Sequence, residues 1–302
     1  MYTVRYECSG RLGNCVFPYV LCVLFQMFFN RKYVTTPQPD EVYIDDHTFK
    51  QIYTEENFKK RMFYVPNANI CFRGFFQYDY ILTMFRNEVI QFIQHNPQPL
   101  LSPNNLREFS NEILVKDYLP EFQPGPNDIT IHLRYEDALG PSSYTTPLLL
   151  KMHEYKNVIQ RFCSTFNIVP RTIYWVMNKP TVPLEFTMLK FLLSTIGGVY
   201  RPQTIEEDMC LMRKSTNLIC SHSTFSWIAA AFHTQEQNCF IPEPNTFLND
   251  YITHERFLSL HDKSVVYTYD RYNGKALDAE LLQWRLANNL PEYTSLEDVY
   301  TK

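Results

Sequence analysis

The sequence predicts an α/β fold made of two domains, each built on a parallel sheet. Short apolar runs of strand length alternate with longer stretches of helix length along most of the chain. A run rich in hydroxyl residues, proline and glycine, GPSSYTTP at 140–147, interrupts this alternation near the middle. We therefore expect two Rossmann-like domains, 1–145 and 146–302, that face a cleft. Ligands of such sheets bind beyond the carboxyl ends of the strands.

The first half opens as a strand, a turn and a helix. The run TVRYEC at 3–8 is rich in β-branched and aromatic residues, whereas the apolar run at 14–29 is too long for a strand. The remaining predicted elements of this half are strands at 42–44, 70–77 and 129–134 and helices at 54–61, 80–94 and 105–118.

The second half alternates more regularly. Its predicted elements are helices at 151–166, 184–195, 205–214 and 275–289, strands at 171–177, 197–201 and 218–220, and a last short strand at 240–241. Thr204 and Glu207 have the spacing of a capping box, which marks the start of the helix at 205–214. Asp208, the next residue, could instead face the cleft and contribute to a ligand site.

Composition places the chain among globular proteins with sizeable cores, because 45% of its 302 residues are hydrophobic and 16% are aromatic. The net charge of −4 gives no support to nucleic-acid binding through a basic face. The eight cysteines form no CxxC pair, so buried free thiols in a reducing compartment are expected.

The expected location is the cytoplasm. The first ten residues, MYTVRYECSG, are strand-like and lack the charged leader and apolar core of a signal peptide. The most apolar stretch, Val16–Phe29, is about 14 residues long and contains Pro18 and Gln26, so it is expected to be too short to span a bilayer.

The stretch Leu218–Phe232 has the pattern of an anion site. An apolar strand is followed by the polar run SHST at 221–224 and then by an alanine-rich helix. The N-terminus of such a helix presents backbone N–H groups and the positive end of the helix dipole to an anion. On these residues alone, an alternative is that Ser223 or Thr224 only caps an ordinary helix.

Two further turns could carry chemistry. Gly10 and Gly13 flank the first strand-to-helix turn, where glycine permits the close approach of a ligand, although an ordinary tight turn is an alternative. The strand end IHLRYED places His132 and Arg134 on one face, with Asp137 in the following turn. The guanidinium of Arg134 suits a phosphate, whereas a surface ion pair with Asp137 is the alternative.

Several kinds of catalytic site lack their sequence motif. The chain has no DxD, no HExxH and no paired His/Cys spacing, so neither a catalytic metal nor a cofactor is expected. It also has no GxSxG turn, which makes Ser223 and Ser226 poor candidates for a nucleophile.

Taken together, these stretches resemble the α-1,2-fucosyltransferase family, within the wider superfamily of GDP-fucose-dependent transferases. The family motif GxxGNQ is matched by GRLGN at 10–14, and GYFQ by GFFQ at 74–77. HxRRxD is matched at His132, Arg134 and Asp137. The DLxLM and N-S-S/T-F-S-W-W segments are matched by DMCLM at 208–212 and SHSTFSW at 221–227, in the same order and spacing. The likeness covers roughly residues 6–245.

The resemblance implies a GT-B-type fold, with 1–145 on the acceptor side and 146–302 on the donor side. It also implies metal-independent, inverting transfer of L-fucose from GDP-β-L-fucose to a glycan hydroxyl, with an α-1,2 linkage favoured. Arg134 would neutralise the departing diphosphate from across the cleft, because the leaving-group charge peaks in the transition state.

The resemblance assigns further residues to the two substrates. The implied donor-binding residues are Gly10, Gly13, Asn14, His132, Asp208, His222, Ser223, Thr224, Phe225 and Ser226. Gln77 and Asp79 are implied on the acceptor side, and Asn14 could also brace the loops there. Asp137 is the first candidate for a general base, ahead of Glu136 and Asp79.

The chain departs from the family pattern at several positions. The departing residues are Cys15, Tyr135, Glu136, His222 and Ile228. Two alternatives therefore stay open: a transferase for rhamnose or another nucleotide-linked deoxysugar, and a catalytically silent protein that binds a nucleotide sugar or glycan. The expected partners are a nucleotide sugar and a glycan acceptor, without nucleic acid and without a membrane-spanning segment. The chain could also be one module of a larger glycosyltransferase.

Overall fold

The structure is a computed structural model. It describes residues 1–7, 12–61, 65–74, 76, 78–102, 107–118, 124–135, 150–242, 263–267 and 276–300. These residues form two compact units. The first unit contains the described residues of Met1–Tyr118 together with Thr224–Phe232, and the second contains those of Leu119–Ser223, His233–Tyr251 and Lys263–Lys302.

The first unit is built on a four-stranded parallel sheet with the order β2-β1-β4-β3. Its strands are β1 (Thr3–Glu7), β2 (Lys32–Tyr33), β3 (Glu41–Asp45) and β4 (Asn69–Arg73), and an antiparallel pair is formed by β5 (Pro99–Ser102) and β6 (Arg107–Ser110). Its helices are α1 (Leu12–Phe29), α2 (Asp46–Ile52), α3 (Glu55–Lys59), α4 (Asp79–Thr83), α5 (Arg86–His95), α9 (Thr224–Ala231) and a 3-10 helix at Asn111–Leu114.

The second unit is built on a six-stranded parallel sheet with the order β12-β11-β10-β7-β8-β9. Its strands are β7 (Ile129–His132), β8 (Ile173–Val176), β9 (Val199–Tyr200), β10 (Asn217–Ile219), β11 (Asn238–Pro242) and β12 (Ser264–Tyr267). Its helices are α6 (Glu154–Phe166), α7 (Pro183–Thr195), α8 (Ile205–Lys214), α10 (Ala276–Ala287) and α11 (Leu296–Tyr300). The predicted α/β class is confirmed, and two units built on parallel sheets are what a GT-B-type chain requires.

Helix α1 forms the core of the first unit. It packs on β1 and β5 and against α4, α5 and α9, and its residues are apolar on nearly every side. With 18 residues and a mean hydropathy of 1.8, α1 is long and apolar enough to cross a membrane, so the expectation of a run that is too short was wrong. However, 72% of α1 is buried inside the fold, as in the core helix of a globular unit.

The boundary between the units differs from the predicted one near residue 145. Strand β7 lies inside the second sheet, where it pairs in parallel with β10 on one side and β8 on the other. The ladder hydrogen bonds of a central strand place it in the second unit, so that unit begins before β7. Helix α9 lies in the first unit although it follows β10 in the chain. The predicted linker at 140–147 lies outside the described residues.

Three predictions of secondary structure were wrong. The helix expected at 105–118 is replaced, from residue 107 onward, by β6 and the 3-10 helix. The single helix expected at 80–94 is divided into α4 and α5. The strand at 240–241 was expected to be the last one, but β12 extends the second sheet beyond it.

Most of the described cysteines have free thiols, as expected. The free ones are Cys22, Cys71, Cys163, Cys210, Cys220 and Cys239, and all but Cys163 are buried. Cys15 contradicts the expectation, because its sulfur is disulfide-bonded.

Candidate functional site

The candidate site of the second unit lies at the carboxyl ends of β7 and β10. These two strands are neighbours in the parallel sheet, with Ile131 opposite Ile219. The residues that follow them therefore emerge at the same edge, where ligands of parallel α/β sheets bind. On one side lie His132, the last residue of β7, and Arg134, and on the other side lie residues 220–222, which we call the site loop.

Side chains from β7 hold the site loop at two points. Nδ1 of His132 lies 2.7 Å from Oγ of Ser221, within hydrogen-bond distance. Nη1 of Arg134 donates a hydrogen bond of 2.9 Å to the backbone carbonyl oxygen of His222. Arg134 therefore lies in the same unit as the site loop and does not reach it from across a cleft. The reason is the pairing of β7 with β10 in a single sheet.

His132 is electrically neutral in the folded chain. It is only 8% exposed, and burial, with the nearby positive charge of Arg134, lowers its pKa to about 3. A neutral imidazole at this position can orient Ser221 but adds no positive charge to the edge of the sheet. Among the described residues of β7 and of the segment that follows it, at 129–135, Arg134 is therefore the only cation.

A small cavity opens beside the site loop. Its volume is about 10 Å³, room for about one water molecule. The lining residues are Ile131, His132, Arg134, Leu150, Tyr155, Ile219, the three residues of the site loop, and Tyr267. Because the cavity is so small, a phosphate group would have to bind at its mouth, next to Arg134 and the site loop.

A second polar position at the same edge of this sheet is Asp208, in the first turn of α8. The predicted capping box is confirmed, because Thr204 N donates to Glu207 Oε2 at 2.7 Å and Glu207 N donates to Thr204 Oγ1 at 3.2 Å. Asp208 has a different environment, since it is only 5% exposed. Burial, with a contribution from Glu207, raises the pKa of Asp208 well above its usual range.

Tyr200 is a further polar residue near this buried position. The carboxylate of Asp208 lies near enough to raise the pKa of the Tyr200 phenol, in addition to the larger effect of burial. The Tyr200 hydroxyl is buried and has no hydrogen-bond partner among the described residues. A buried acid beside an unpaired hydroxyl costs free energy in the absence of a ligand, and such groups mark candidate binding positions.

Other predicted residues meet inside the first unit, where α9 begins beside α1. Thr224 Oγ1 donates to Asn14 Oδ1 at 2.8 Å. Gly13 lies so close that an added Cβ would be 2.6 Å from Thr224 Oγ1 and 2.7 Å from Phe225 N. The structure therefore explains Gly13 through close helix packing, whereas the sequence suggested the close approach of a ligand.

The remaining predicted residues are distributed as follows. Ser223 and Phe225 are half-buried, whereas Ser226 is fully buried and presents no surface to a ligand. Asp79 is the first residue of α4. Gly10, Gln77, Glu136, Asp137 and the side chain of Asp79 lie outside the described residues.

The turn after β4, which carries the GFFQ motif, is held by a carboxylate that the sequence reading missed. Phe76 N donates to Asp46 Oδ1 at 2.9 Å, and a Cβ added at Gly74 would collide with Oδ2 of Asp46. Phe76 has a φ of 48°, which is unusual for a bulky residue. No local pattern pairs Asp46 with residue 76, so only the parallel pairing of β3 with β4 could have suggested this contact.

Tyr267 is the second residue that the sequence reading missed. It lines the cavity, and its hydroxyl donates to the carbonyl oxygen of Cys220 at 3.0 Å. The only local signal was the short run SVVY at 264–267, which has three apolar residues after Ser264 and lies beyond the last strand that the pattern predicted.

No protein-family profile matches the chain, and no curated protein matches it. Solved structures with a similar fold include the E. coli heptosyltransferase WaaC with ADP, with a TM-score of 0.37 and 13% identity, over 95% of this chain and 73% of that one. A second one is E. coli ADP-heptose LPS heptosyltransferase II. Its TM-score is 0.36 and its sequence identity is 10%, and the match covers 96% of this chain and 99% of that one. A third one is a Listeria monocytogenes protein assigned as a UDP-N-acetylglucosamine 2-epimerase. Its TM-score is 0.32 and its sequence identity is 10%, and the match covers 95% of this chain and 74% of that one. Likenesses this distant assign neither a family nor a residue role.

Proposed function

We propose that this chain is an inverting glycosyltransferase that needs no metal and transfers L-fucose from GDP-β-L-fucose to a hydroxyl of a glycan. The observation that carries the proposal is the bond from Arg134 to the carbonyl oxygen of His222. It fixes a permanent positive charge at the carboxyl edge of a parallel sheet, where a nucleotide diphosphate would be expected to lie.

In the proposed reaction, a hydroxyl oxygen of the acceptor forms a bond to C1 of fucose while the bond from C1 to the β-phosphate oxygen breaks. The electron pair of the broken bond goes to the GDP leaving group, whose negative charge grows in the transition state. Arg134 would stabilise that charge, and the site loop would add backbone N–H donors.

The electrostatics of His132 are consistent with this role of Arg134. A protonated histidine would compete with the guanidinium for the diphosphate and would repel it. Because the pKa of His132 is lowered to about 3, its ring is neutral at physiological pH and can act as a spacer that orients Ser221. The proton of the acceptor hydroxyl would need another base, and Asp137 remains our first candidate.

Asp208 supports the choice of a guanine nucleotide. Guanine presents an N1–H and an N2 amino group side by side, which a carboxylate can accept as two hydrogen bonds. Such a ligand would also offset the cost of burying Asp208, which has no partner of opposite charge among the described residues. Adenine and uracil lack this pair of adjacent donors, so a carboxylate at this position would favour GDP over ADP and UDP.

The donor is tested by calorimetric titration of the chain with GDP, UDP, dTDP and ADP, each with EDTA present. We expect heat of binding with GDP only. A response to UDP or dTDP but not to GDP would overturn the fucosyl assignment. Binding of GDP without release of fucose to any acceptor would favour a silent binding protein.

A further inference from the structure

The first residue of the site loop is held by a side chain that does not belong to β7 or β10. Cys220 is 1% exposed, and both of its backbone polar groups are paired. Its N–H donates to the carbonyl oxygen of Phe240 at 2.9 Å. Its carbonyl oxygen accepts a hydrogen bond of 3.0 Å from the hydroxyl of Tyr267.

The position of the Tyr267 hydroxyl is well determined by packing. Tyr267 is the last residue of β12, opposite Pro242 of β11, and is 3% exposed. Its ring stacks on that of Phe240, with 5.4 Å between the ring centroids and 23° between the planes. Because both rings belong to paired strands, the hydroxyl has little freedom to leave Cys220.

This bond sets the direction of a whole peptide unit. The carbonyl oxygen of Cys220 and the N–H of Ser221 belong to one planar trans peptide, so they point in opposite directions. When Tyr267 holds the carbonyl, the direction of the Ser221 N–H is fixed as well. Together with the contacts of His132 and Arg134, each of the three residues of the site loop is then held by a different side chain.

We propose that Tyr267 is a positioning residue for the diphosphate site. Its hydroxyl holds the peptide between Cys220 and Ser221 in the orientation in which the site loop binds the β-phosphate of the nucleotide. This inference rests on the proposed function, since it assigns a role within the same site. Because Tyr267 is only 3% exposed and its hydroxyl is bonded to Cys220, it would act through the loop.

The variant Tyr267→Phe tests this role, because it removes the hydroxyl and keeps the ring that stacks on Phe240. A matched control is Tyr33→Phe, which removes a hydroxyl that donates to the carbonyl oxygen of Pro99 at 3.1 Å in the first unit. Affinities for GDP and for guanosine are measured by calorimetry for both variants and for the unsubstituted chain.

We expect Tyr267→Phe to bind GDP at least ten-fold more weakly while its affinity for guanosine changes less than two-fold. The control should bind both ligands like the unsubstituted chain. Unchanged GDP affinity in Tyr267→Phe would overturn the inference, and so would an equal loss for guanosine, which would indicate a general structural role. If the unsubstituted chain does not bind GDP at all, the proposed function itself fails, and the role of Tyr267 fails with it.

Discussion

Arg134 and His222 are 88 positions apart in the chain and are joined by a hydrogen bond of 2.9 Å from the guanidinium to the backbone carbonyl oxygen. This bond uses one of the five N–H groups of the guanidinium. It orients the charge of Arg134 along the edge of the sheet and closes the site loop against β7. The candidate site therefore depends on a contact between two neighbouring parallel strands.

The depressed pKa of His132 predicts a loss of stability in acid. The unfolded chain binds a proton near the ordinary histidine pKa of 6.5, whereas the folded chain binds it only near 3. Stability is therefore lost as the pH falls from 6.5 towards 3, and by pH 5 the loss is about 2 kcal/mol. Urea unfolding at pH 7 and pH 5 measures it.

Between pH 7 and pH 5, the variant His132→Asn should lose about 2 kcal/mol less unfolding free energy than the unsubstituted chain does. His95→Asn, at an exposed position on α5, is the control and should behave like the unsubstituted chain. If His132→Asn loses as much stability between pH 7 and pH 5 as the unsubstituted chain does, the buried neutral state of His132 is wrong.

Asp208→Asn should make the free chain more stable and the ligand complex weaker. The folded pKa of Asp208 is raised above 3.8, so the folded state holds its proton more tightly and loses stability as the pH rises through that pKa. The neutral amide avoids this loss, and we expect a gain of about 1–3 kcal/mol in unfolding free energy at pH 7. The gain should disappear near pH 4.

The same variant should bind GDP at least ten-fold more weakly. The side-chain NH₂ of asparagine is a donor and would face one of the two guanine donors that the carboxylate accepts. Glu207→Gln is the control. It changes the neighbouring carboxylate, which belongs to the capping box and to which we assign no contact with guanine. A destabilised Asp208→Asn that binds GDP normally would assign Asp208 to the framework of α8.

Gly13→Ala should destabilise the first unit. The new methyl group would lie 2.7 Å from the backbone nitrogen of Phe225, which cannot move without shifting α9. Overpacking of this kind costs about 1–3 kcal/mol. Thermal unfolding measures it, with Gly125→Ala as the control, because the closest atom there is a carboxylate oxygen of Asp128 at 3.2 Å. Equal stability of Gly13→Ala and the unsubstituted chain would contradict the close packing of α1 on α9.

Local patterns predicted those parts of the fold that depend on local interactions. The capping box at Thr204 was readable because it uses two residues three positions apart. Helix α1 was readable because its apolar run exceeds the length of a strand. The β5–β6 pair was missed because the run around Phe109 alternates over only four residues, too few to distinguish strand from helix.

Contacts between distant parts of the chain could not be predicted in the same way. Asn14 and Thr224 are 210 positions apart, and nothing near either residue indicates that they meet. Tyr267 follows a stretch that the pattern reads as a loop, so its contact with Cys220 was equally hidden. The role of Arg134 stays a prediction, but Arg134 lies in the second unit and not in the predicted domain 1–145, because a turn-rich run was interpreted as the domain boundary.

The release of GDP from GDP-L-fucose, measured with EDTA present, tests the central claim most directly. The chains to compare are the unsubstituted protein, Arg134→Ala, and Arg161→Ala as a control at an exposed position on α6. We predict release by the unsubstituted chain and by the control, and a loss of about 10²–10³-fold in Arg134→Ala. Unimpaired turnover by Arg134→Ala, or no turnover by any of the three chains, would contradict the account.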